Sequence, residues 1–566
     1  MSSTSSFPHA HPDLVLVDGR ITTMSDAPGA AGEVQALAVT GERITATGSS
    51  AEIRSLAGPG TTVVDLKGRR VVPGLIDSHV HVVRAGRTWR DEVRWEDERS
   101  LASGLAALGA RAADRPESTW IRIIGGWHPA QFPENRGPSR AELDAAAPDH
   151  PVYVQFLYDW AVLNTAAMRE LGVDHTLVRE LTADGFAADA FETGPDGELT
   201  GKVNGTPLME WFYRRMPAPT FEEQVAGTAE MSRALNRLGI TGAIDGGGFN
   251  SGPAAYPAIR ETWRRGELTL RTRLAVHAER AGTEAADLAG YQRFTPLDVG
   301  DGLLRVIGVG EVILYATVDK IAHPVEIDDD IRTRFREIFG ELARNRWTVH
   351  THAHQHETID AVLSAWEEAH AEHDIAPLRW ALVHAEPLTP ADVERVAALG
   401  AGVLAQGLYR FQGEEALAIW GEKTVAEAPP LRTLLERGVP MGLGSDAMRV
   451  ASFNPWATIA WFLDGRTVQG TPTLAGHHLL SREEALRGYT ASGAWFSFEE
   501  QERGRLEPGL LADLAVLSDD YLTVDQELIP QIESVLTVVG GRVVHTAAPF
   551  ADLPVTSFDP QGVSRA

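Results

Sequence analysis

The sequence predicts an α/β fold: a (β/α)8 TIM-like barrel, with a composite β-sandwich domain built from both chain ends and an insertion after barrel strand one. Three observations lead there. Eight short apolar or β-branched runs occupy the middle of the chain, at 71–77, 240–245, 270–276, 303–309, 347–352, 379–384, 401–406 and 440–445. Helix-like stretches at 332–344, 359–371 and 390–399 separate several of them, as a parallel barrel requires. Both ends of the chain share a different texture, short strands broken by glycine turns. Residues 95–235 lie between runs one and two, far too long for a loop.

The terminal segments come first in order. Strands are expected at 14–17, 36–39, 44–47 and 62–66, and again at 513–517 and 535–539, and Gly540-Gly541 marks a turn before a strand at 542–544. Neither end has enough strands to bury two faces, so residues 12–70 and 500–566 are expected to form one sandwich. The barrel then spans 71–499, with 95–235 as an inserted subdomain carrying strands at 121–124 and 152–157. Residues 1–11 are Ser-rich, lack the basic and apolar regions of a secretory signal, and are read as a disordered tail. With 566 residues there is room for all of these parts.

Composition narrows the function. No apolar stretch approaches the roughly 20 residues that span a bilayer, and a cytoplasmic protein is expected. A net charge of −27 argues against nucleic acid or an anionic membrane as partner, since those need clustered basic residues. A small-molecule substrate is expected instead, and a homo-oligomer is left open. There is no cysteine, so His, Asp and Glu remain as metal ligands.

Run one continues as VVPGLIDSHVH (71–81) and ends on His79 and His81. A strand projects alternate residues onto one face, so two imidazoles two positions apart converge on one cation where the strand leaves the sheet. The C-terminal ends of barrel strands are also where such barrels do chemistry. A bare His-x-His is weak, because a metal site needs further ligands. Run five, WTVHTH, carries His350 and His352 on one face; run six, RWALVH, ends on His384; run eight, PMGLGSD, closes on Asp446 among small residues that admit a ligand near the backbone. Each alone is an ordinary packing residue. Together at strand ends they suit zinc or a similar first-row ion with one position open for water. His354 and His356 are read as loop histidines.

PGLIDSHVH, a later strand-end His, the VHAE that holds His384 and the Asp of GLGSD resemble the amidohydrolase superfamily. Gly126-Trp127, the segment from Pro138 to Asp144, Pro151-Val152, Asn164 with Ala166-Ala167, and Gly239-Ile240-Thr241 are similar to its amidohydrolase-3, or YtcJ-like, branch, which includes N-substituted formamide deformylases and exoenzyme regulators. The resemblance implies the same barrel and composite domain. It also favours His352 over His350, because Ala353 and the register to Ile359-Asp360 match the family. At strand four the chain departs from its relatives, many of which carry a lysine, carboxylated to bridge two metals. None of Lys67, Lys202, Lys320 and Lys423 stands there, and Glu311 does. Its two oxygens can bridge two cations as a carbamate would, or simply pair with an arginine at the rim.

The implied chemistry is hydrolysis of a non-peptide C–N bond in a small amide, formamide or cyclic amide. A water on the divalent metal, zinc foremost and two ions if Glu311 bridges, is acidified toward pKa ~7. Asp446 then shuttles its proton to the departing nitrogen. Trp127, His128, Phe132, Tyr158, Trp160, Tyr409, Arg410 and Phe411 are expected as an aromatic lid or as packing residues, favouring an aromatic substrate. Arg84, Arg410 and Arg449 are candidate carboxylate clamps, with nothing to select among them. Two rivals remain: a mononuclear deaminase, which the missing lysine permits, and a non-catalytic metal or ligand sensor.

Overall fold

In the computed structural model, which describes residues 11–558 apart from 28, 30 and 249–251, eight parallel strands form one sheet that curls nearly into a closed barrel. The strands are β1 (Leu75–Val80), β2 (Ile240–Asp245), β3 (Arg271–Val276), β4 (Leu304–Val309), β5 (Thr348–Ala353), β6 (Ala381–His384), β7 (Gly402–Gln406) and β8 (Met441–Gly444), paired in sequence order. Two hydrogen bonds draw the first and last together, Asp446 N–H to the His79 carbonyl at 2.9 Å and His81 N–H to the Ala447 carbonyl at 3.0 Å. A Cβ on Gly444 would lie 2.6 Å from the His79 nitrogen, so this closure needs a glycine. The tail expected at 1–11 lies outside the described residues except for His11, whose Nδ1 is 3.0 Å from the Leu56 carbonyl.

Helices cover the outside, several of them started by a capping side chain. Asp328 caps Asp329–Arg344 by accepting from Ile331 N–H, acidic residues fill its first turn and Arg344 its last, in line with the helix dipole. Ile331, Phe335, Ile338, Phe339 and Leu342 give it one buried stripe, at three- and four-residue spacing. His356–Glu372 and Pro390–Ala398 occupy the other two expected helical stretches.

The run expected as a single strand at 71–77 divides at Gly74. Arg70–Pro73 leaves the barrel and joins a six-stranded sheet, antiparallel to Leu514–Leu517 and parallel to Arg20–Thr22. Its other strands are Glu33–Val34, Ser534–Val539 and Arg542–Thr546, so both ends of the chain meet in one sheet. A four-stranded sheet of Leu14–Val17, Ala36–Thr40, Arg43–Gly48 and Thr62–Asp65 accompanies it. Leu16, Leu37 and Val39 of the smaller sheet share an apolar cluster with Ile21, Val71, Val516 and Val538 of the larger. Residues between β1 and β2 contain a five-stranded sheet, Ile121–Ile123, Val152–Phe156, Trp160–Leu163, Leu199–Asn204 and Phe191–Thr193. The long helix Phe221–Arg237 returns the chain to β2. Among the described residues no helix is long and apolar enough to cross a membrane.

Candidate metal centre

At the C-terminal end of the barrel six side chains from five strands face one another. Glu311, two residues beyond β4, stands in the middle: Oε1 is 3.6 Å from His81 Nε2, while Oε2 is 3.3 Å from His79 Nε2, 3.6 Å from His352 Nδ1 and 3.7 Å from His384 Nε2. Asp446, after β8, lies 3.0 Å from His81, 3.6 Å from His79 and 4.0 Å from His384. Backbone contacts hold Glu311 there: its N–H donates to the Gly246 carbonyl at 2.9 Å, and its carbonyl accepts from His352 N–H at 3.1 Å. Gly248, at φ +90°, passes so close that a Cβ would meet Glu311 and His81 at 2.9 and 3.1 Å.

These residues fit a divalent metal. Ligands about one zinc at ~2.0–2.2 Å stand about 3–3.5 Å apart, and the contacts here run from 3.0 to 4.0 Å. His81 Nδ1 donates to the Gly247 carbonyl at 2.8 Å, which leaves the Nε2 lone pair aimed at the two carboxylates. Both nitrogens of buried His79, and Nδ1 of His384, have no hydrogen-bond partner among the described residues, an arrangement that hydrogen bonding does not explain. Three overlapping sets converge closely enough to share an ion: His79, His81 and Glu311; His79, His384 and Asp446; His352, His354 and His384.

Burial opposes charge on both carboxylates, yet the imidazoles around them prevail. His352, His384 and His79 hold Glu311 well below the usual carboxylate range, and His79 and His81 do the same for Asp446. Burial likewise opposes charge on His79, but Asp446 and Glu311 push its pKa up to about 10. Burial beside His354 takes His384 down to about 4. The backbone is strained at two of the six, with His384 at φ +70° and Asp446 at φ +56°.

The sequence profile of the amidohydrolase family matches residues 62–545. The chain belongs to the amidohydrolase family. It is 24% identical to an N-substituted formamide deformylase of Arthrobacter pascens, over 94% of this chain and 97% of that one. It is 26% identical to the putative amidohydrolase YtcJ of Bacillus subtilis, over 89% and 94%. Its fold is similar to that of an uncharacterized metal-dependent hydrolase from Pyrococcus furiosus, with a TM-score of 0.64 and 22% identity over 90% of this chain and all of the other. This amidohydrolase is therefore a hydrolase, and its clustered imidazoles and carboxylates suit a divalent metal.

Of the two candidates on β5, the structure brings His352 to Glu311 and leaves His350 inside the barrel against Phe496. There neither nitrogen has a partner among the described residues, and burial lowers its pKa to about 3. His354 stands in the loop just after β5, as expected, yet it packs into the site. It is buried, stacks on His384 at 4.1 Å between ring centres and meets Glu386 at 2.8 Å. The alternation 350, 352, 354 continues one residue past the end of β5, and following it would have found this residue. His356 is exposed.

Sequence reasoning also missed the supporting carboxylates. Asp319 accepts from His354 and Gln355 N–H, both at 2.8 Å, and lies 3.1 Å from His352 Nε2. Asp77 ties β1 to β8, accepting from Ser445 Oγ at 2.6 Å and Ser445 N–H at 3.0 Å; burial raises its pKa to about 6. One further set, Glu427, His477 and His478, is accounted for by hydrogen bonds. His478 Nδ1 accepts from Arg432 N–H at 3.4 Å, so its Nε2 carries the proton and donates to Glu427 at 3.2 Å.

A cavity opens on five of the six residues, His81, Glu311, His352, His384 and Asp446. None of Trp127, His128, Trp160, Tyr409 and Arg410 lines it. Trp127 donates to the Gln155 carbonyl at 3.0 Å and packs with Trp160, while His128 packs on Phe156, all within the insertion's aromatic cluster. Tyr409 is buried against Trp461, and Arg410 lines a separate groove. The cavity wall is instead Leu157, Val318, Ile321, Leu408 and Val450, with Arg84, Tyr158, Asp159, Lys320, Gln412 and Glu415 among its polar members.

Proposed function

We propose that this amidohydrolase cleaves a non-peptide C–N bond of a small amide, formamide or cyclic amide. His79, His81, His352, His384, Asp446 and Glu311 would hold the divalent metal, zinc foremost, with two ions if Glu311 serves both. The position of Glu311 carries the reading: one carboxylate faces four imidazoles and divides its oxygens between them. Divalent cations there supply Lewis acidity, which polarises an amide carbonyl and lets water ionise near pH ~7.

The chain's own groups do the rest. Asp446, ionised and facing the cavity, accepts a proton as water adds to the amide carbon, and returns it to nitrogen as the C–N bond breaks, leaving a carboxylate and an amine. Asp319 positions His352 from behind, and the Gly247 carbonyl fixes the tautomer of His81. Val318, Ile321, Leu408 and Val450 receive the apolar part of the substrate and exclude bulk water. The name of the Arthrobacter relative makes N-substituted formamides the first compounds to try.

The test is turnover of formamides, anilides, hydantoins and carbamates by zinc-loaded protein, with metal counted per chain. Amine release with about two ions is expected, and Glu311→Ala should lose about one equivalent. Unchanged metal in Glu311→Ala would remove that residue from the site. One ion with ammonia as product would favour a mononuclear deaminase.

A further inference from the structure

One imidazole beside the metal centre is oriented for a task other than holding metal. His354 is 6% exposed and is fixed on three sides: its backbone N–H donates to Asp319 at 2.8 Å, Nδ1 meets Glu386 Oε2 at 2.8 Å, and its ring stacks on His384. It lies close enough to His352 and His384 to share an ion with them. Its orientation forbids that. The rings of His354 and His384 are inclined by only 15°, with centres 4.1 Å apart. A ligating imidazole keeps its metal in the ring plane about 2 Å from nitrogen, and two nearly parallel planes stacked in this way do not meet so near. One of the two rings can hold a given cation, and His384 is the one whose Nε2 faces Glu311 and Asp446.

A carboxylate only accepts, so Nδ1 of His354 carries the proton that goes to Glu386, and the neutral ring presents a lone pair at Nε2. Among the described residues that nitrogen makes no hydrogen bond, and His354 lines the cavity. Glu386 is buried and its other oxygen has no partner, so this carboxylate serves His354 alone. Fixing the tautomer of a ring at a cavity wall prepares its far nitrogen for a ligand. The ligand's group follows from the chemistry next door. Where a cation takes the carbonyl oxygen of an amide, an acceptor one ring away has a single matching donor, the N–H on the same carbon.

We propose that His354 Nε2, oriented by Glu386, accepts a hydrogen bond from the scissile N–H, which makes the substrate class amides that keep a hydrogen on that nitrogen, N-monosubstituted formamides among them, rather than N,N-disubstituted ones. This rests on the amide-hydrolysis reading given above.

Two compounds that differ by one N-methyl test it: N-benzylformamide and N-benzyl-N-methylformamide, each with zinc-loaded enzyme. The secondary formamide should have the higher kcat/KM by about 10²-fold, because the tertiary one leaves the His354 acceptor unmatched. His354→Phe keeps a ring on His384 and removes the nitrogens; its metal content should equal that of the wild type, and the ratio should fall by at least about tenfold. Loss of about one metal equivalent would make His354 a ligand and overturn the proposal. So would a ratio unchanged in His354→Phe, or equal turnover of both compounds by the wild type, and either leaves amide hydrolysis standing. If Glu386, left without its partner, prevents folding, His354→Phe combined with Glu386→Gln is read in the same way, and the wild-type ratio decides if neither variant folds. Should neither compound turn over, the hydrolysis reading has failed for this pair, and calorimetric binding to the wild type decides His354. Binding of the secondary formamide at least about tenfold tighter supports it, and equal or absent binding overturns it.

Discussion

The barrel buries a charged cluster at each end, and the two are wired in opposite ways. At the N-terminal ends of the strands, Glu499 accepts from Arg273 at 2.5 and 2.9 Å and from Arg503 at 2.7 and 3.0 Å, while Arg271 and Asp513 make a two-pronged pair at 2.7 and 3.1 Å. Among the described residues every guanidinium nitrogen there except Arg503 Nη1 meets an acceptor. At the C-terminal ends the imidazoles of His79 and His384 face carboxylates at 3.3 to 4.0 Å, with nitrogens left unpaired. A cluster closed on itself holds parts together and has nothing left to offer a ligand; one left open at ligand spacing is ready for a cation and its chemistry. Buried charge alone therefore does not mark a site. The unspent donors and acceptors do.

If the lower cluster is structural, breaking it should cost stability and little else. The largest effect is expected from removing residues after 505, which takes away Asp513 and three strands of the terminal sheet. That sheet's half-core would be exposed, and mostly insoluble protein should result; a soluble, active truncation would refute the joint packing of the two ends. Next comes Arg273→Met, which leaves Arg503 to answer Glu499 by itself. A broken buried pair costs about 3–5 kcal/mol, to be read by denaturant unfolding, while activity per folded molecule stays near wild type. A stability loss under about 1 kcal/mol would mean that Arg503 suffices.

The upper cluster should behave in reverse. Asp446→Asn keeps the shape and one ligand oxygen but cannot act as a base near neutral pH. Turnover should fall by at least about 10²-fold while metal content and Tm are largely kept. If most activity survives, Asp446 is not the proton carrier and the mechanism assigned to it is wrong.

The sequence made the upper cluster legible because its members lie at strand ends, where alternation and an abrupt stop are local signals. His79, His81, His384 and Asp446 could each be found within a run of about ten residues. The lower cluster joins Arg273 to Glu499 and Arg271 to Asp513, across more than two hundred residues, and no local pattern announces such pairs. The split of 71–77 was hidden for a related reason: residues on both sides of Gly74 are buried and apolar, and only their partners show that they belong to different sheets. Trp127 and Trp160 mark the insertion as aromatic without telling which face meets the cavity. Arg84 stood among three candidate clamps, and only the structure shows that it borders the cavity and that Arg410 does not.

The smallest effect expected is a pH dependence confined to the lower cluster. Burial by itself would raise the Glu499 pKa, but Arg503 and Arg273 hold it far below the ordinary value near 4.3. A carboxyl whose folded pKa is depressed contributes stability that is complete above its unfolded pKa and is lost as pH falls toward the folded one. Its full contribution is therefore present at pH ~6, and each pH unit below ~4.3 should remove up to about 1.4 kcal/mol. Glu499→Gln lacks this proton-linked term. The gap in unfolding free energy between wild type and variant should accordingly be flat from pH 7 to 5 and narrow from about pH 4 to 3, measured with metal-free protein so that the upper cluster's affinity for cations does not enter. A gap that stays constant across that range would show that Glu499 keeps no charge-linked advantage in the fold, and that the lower cluster is held by shape and hydrogen bonding alone.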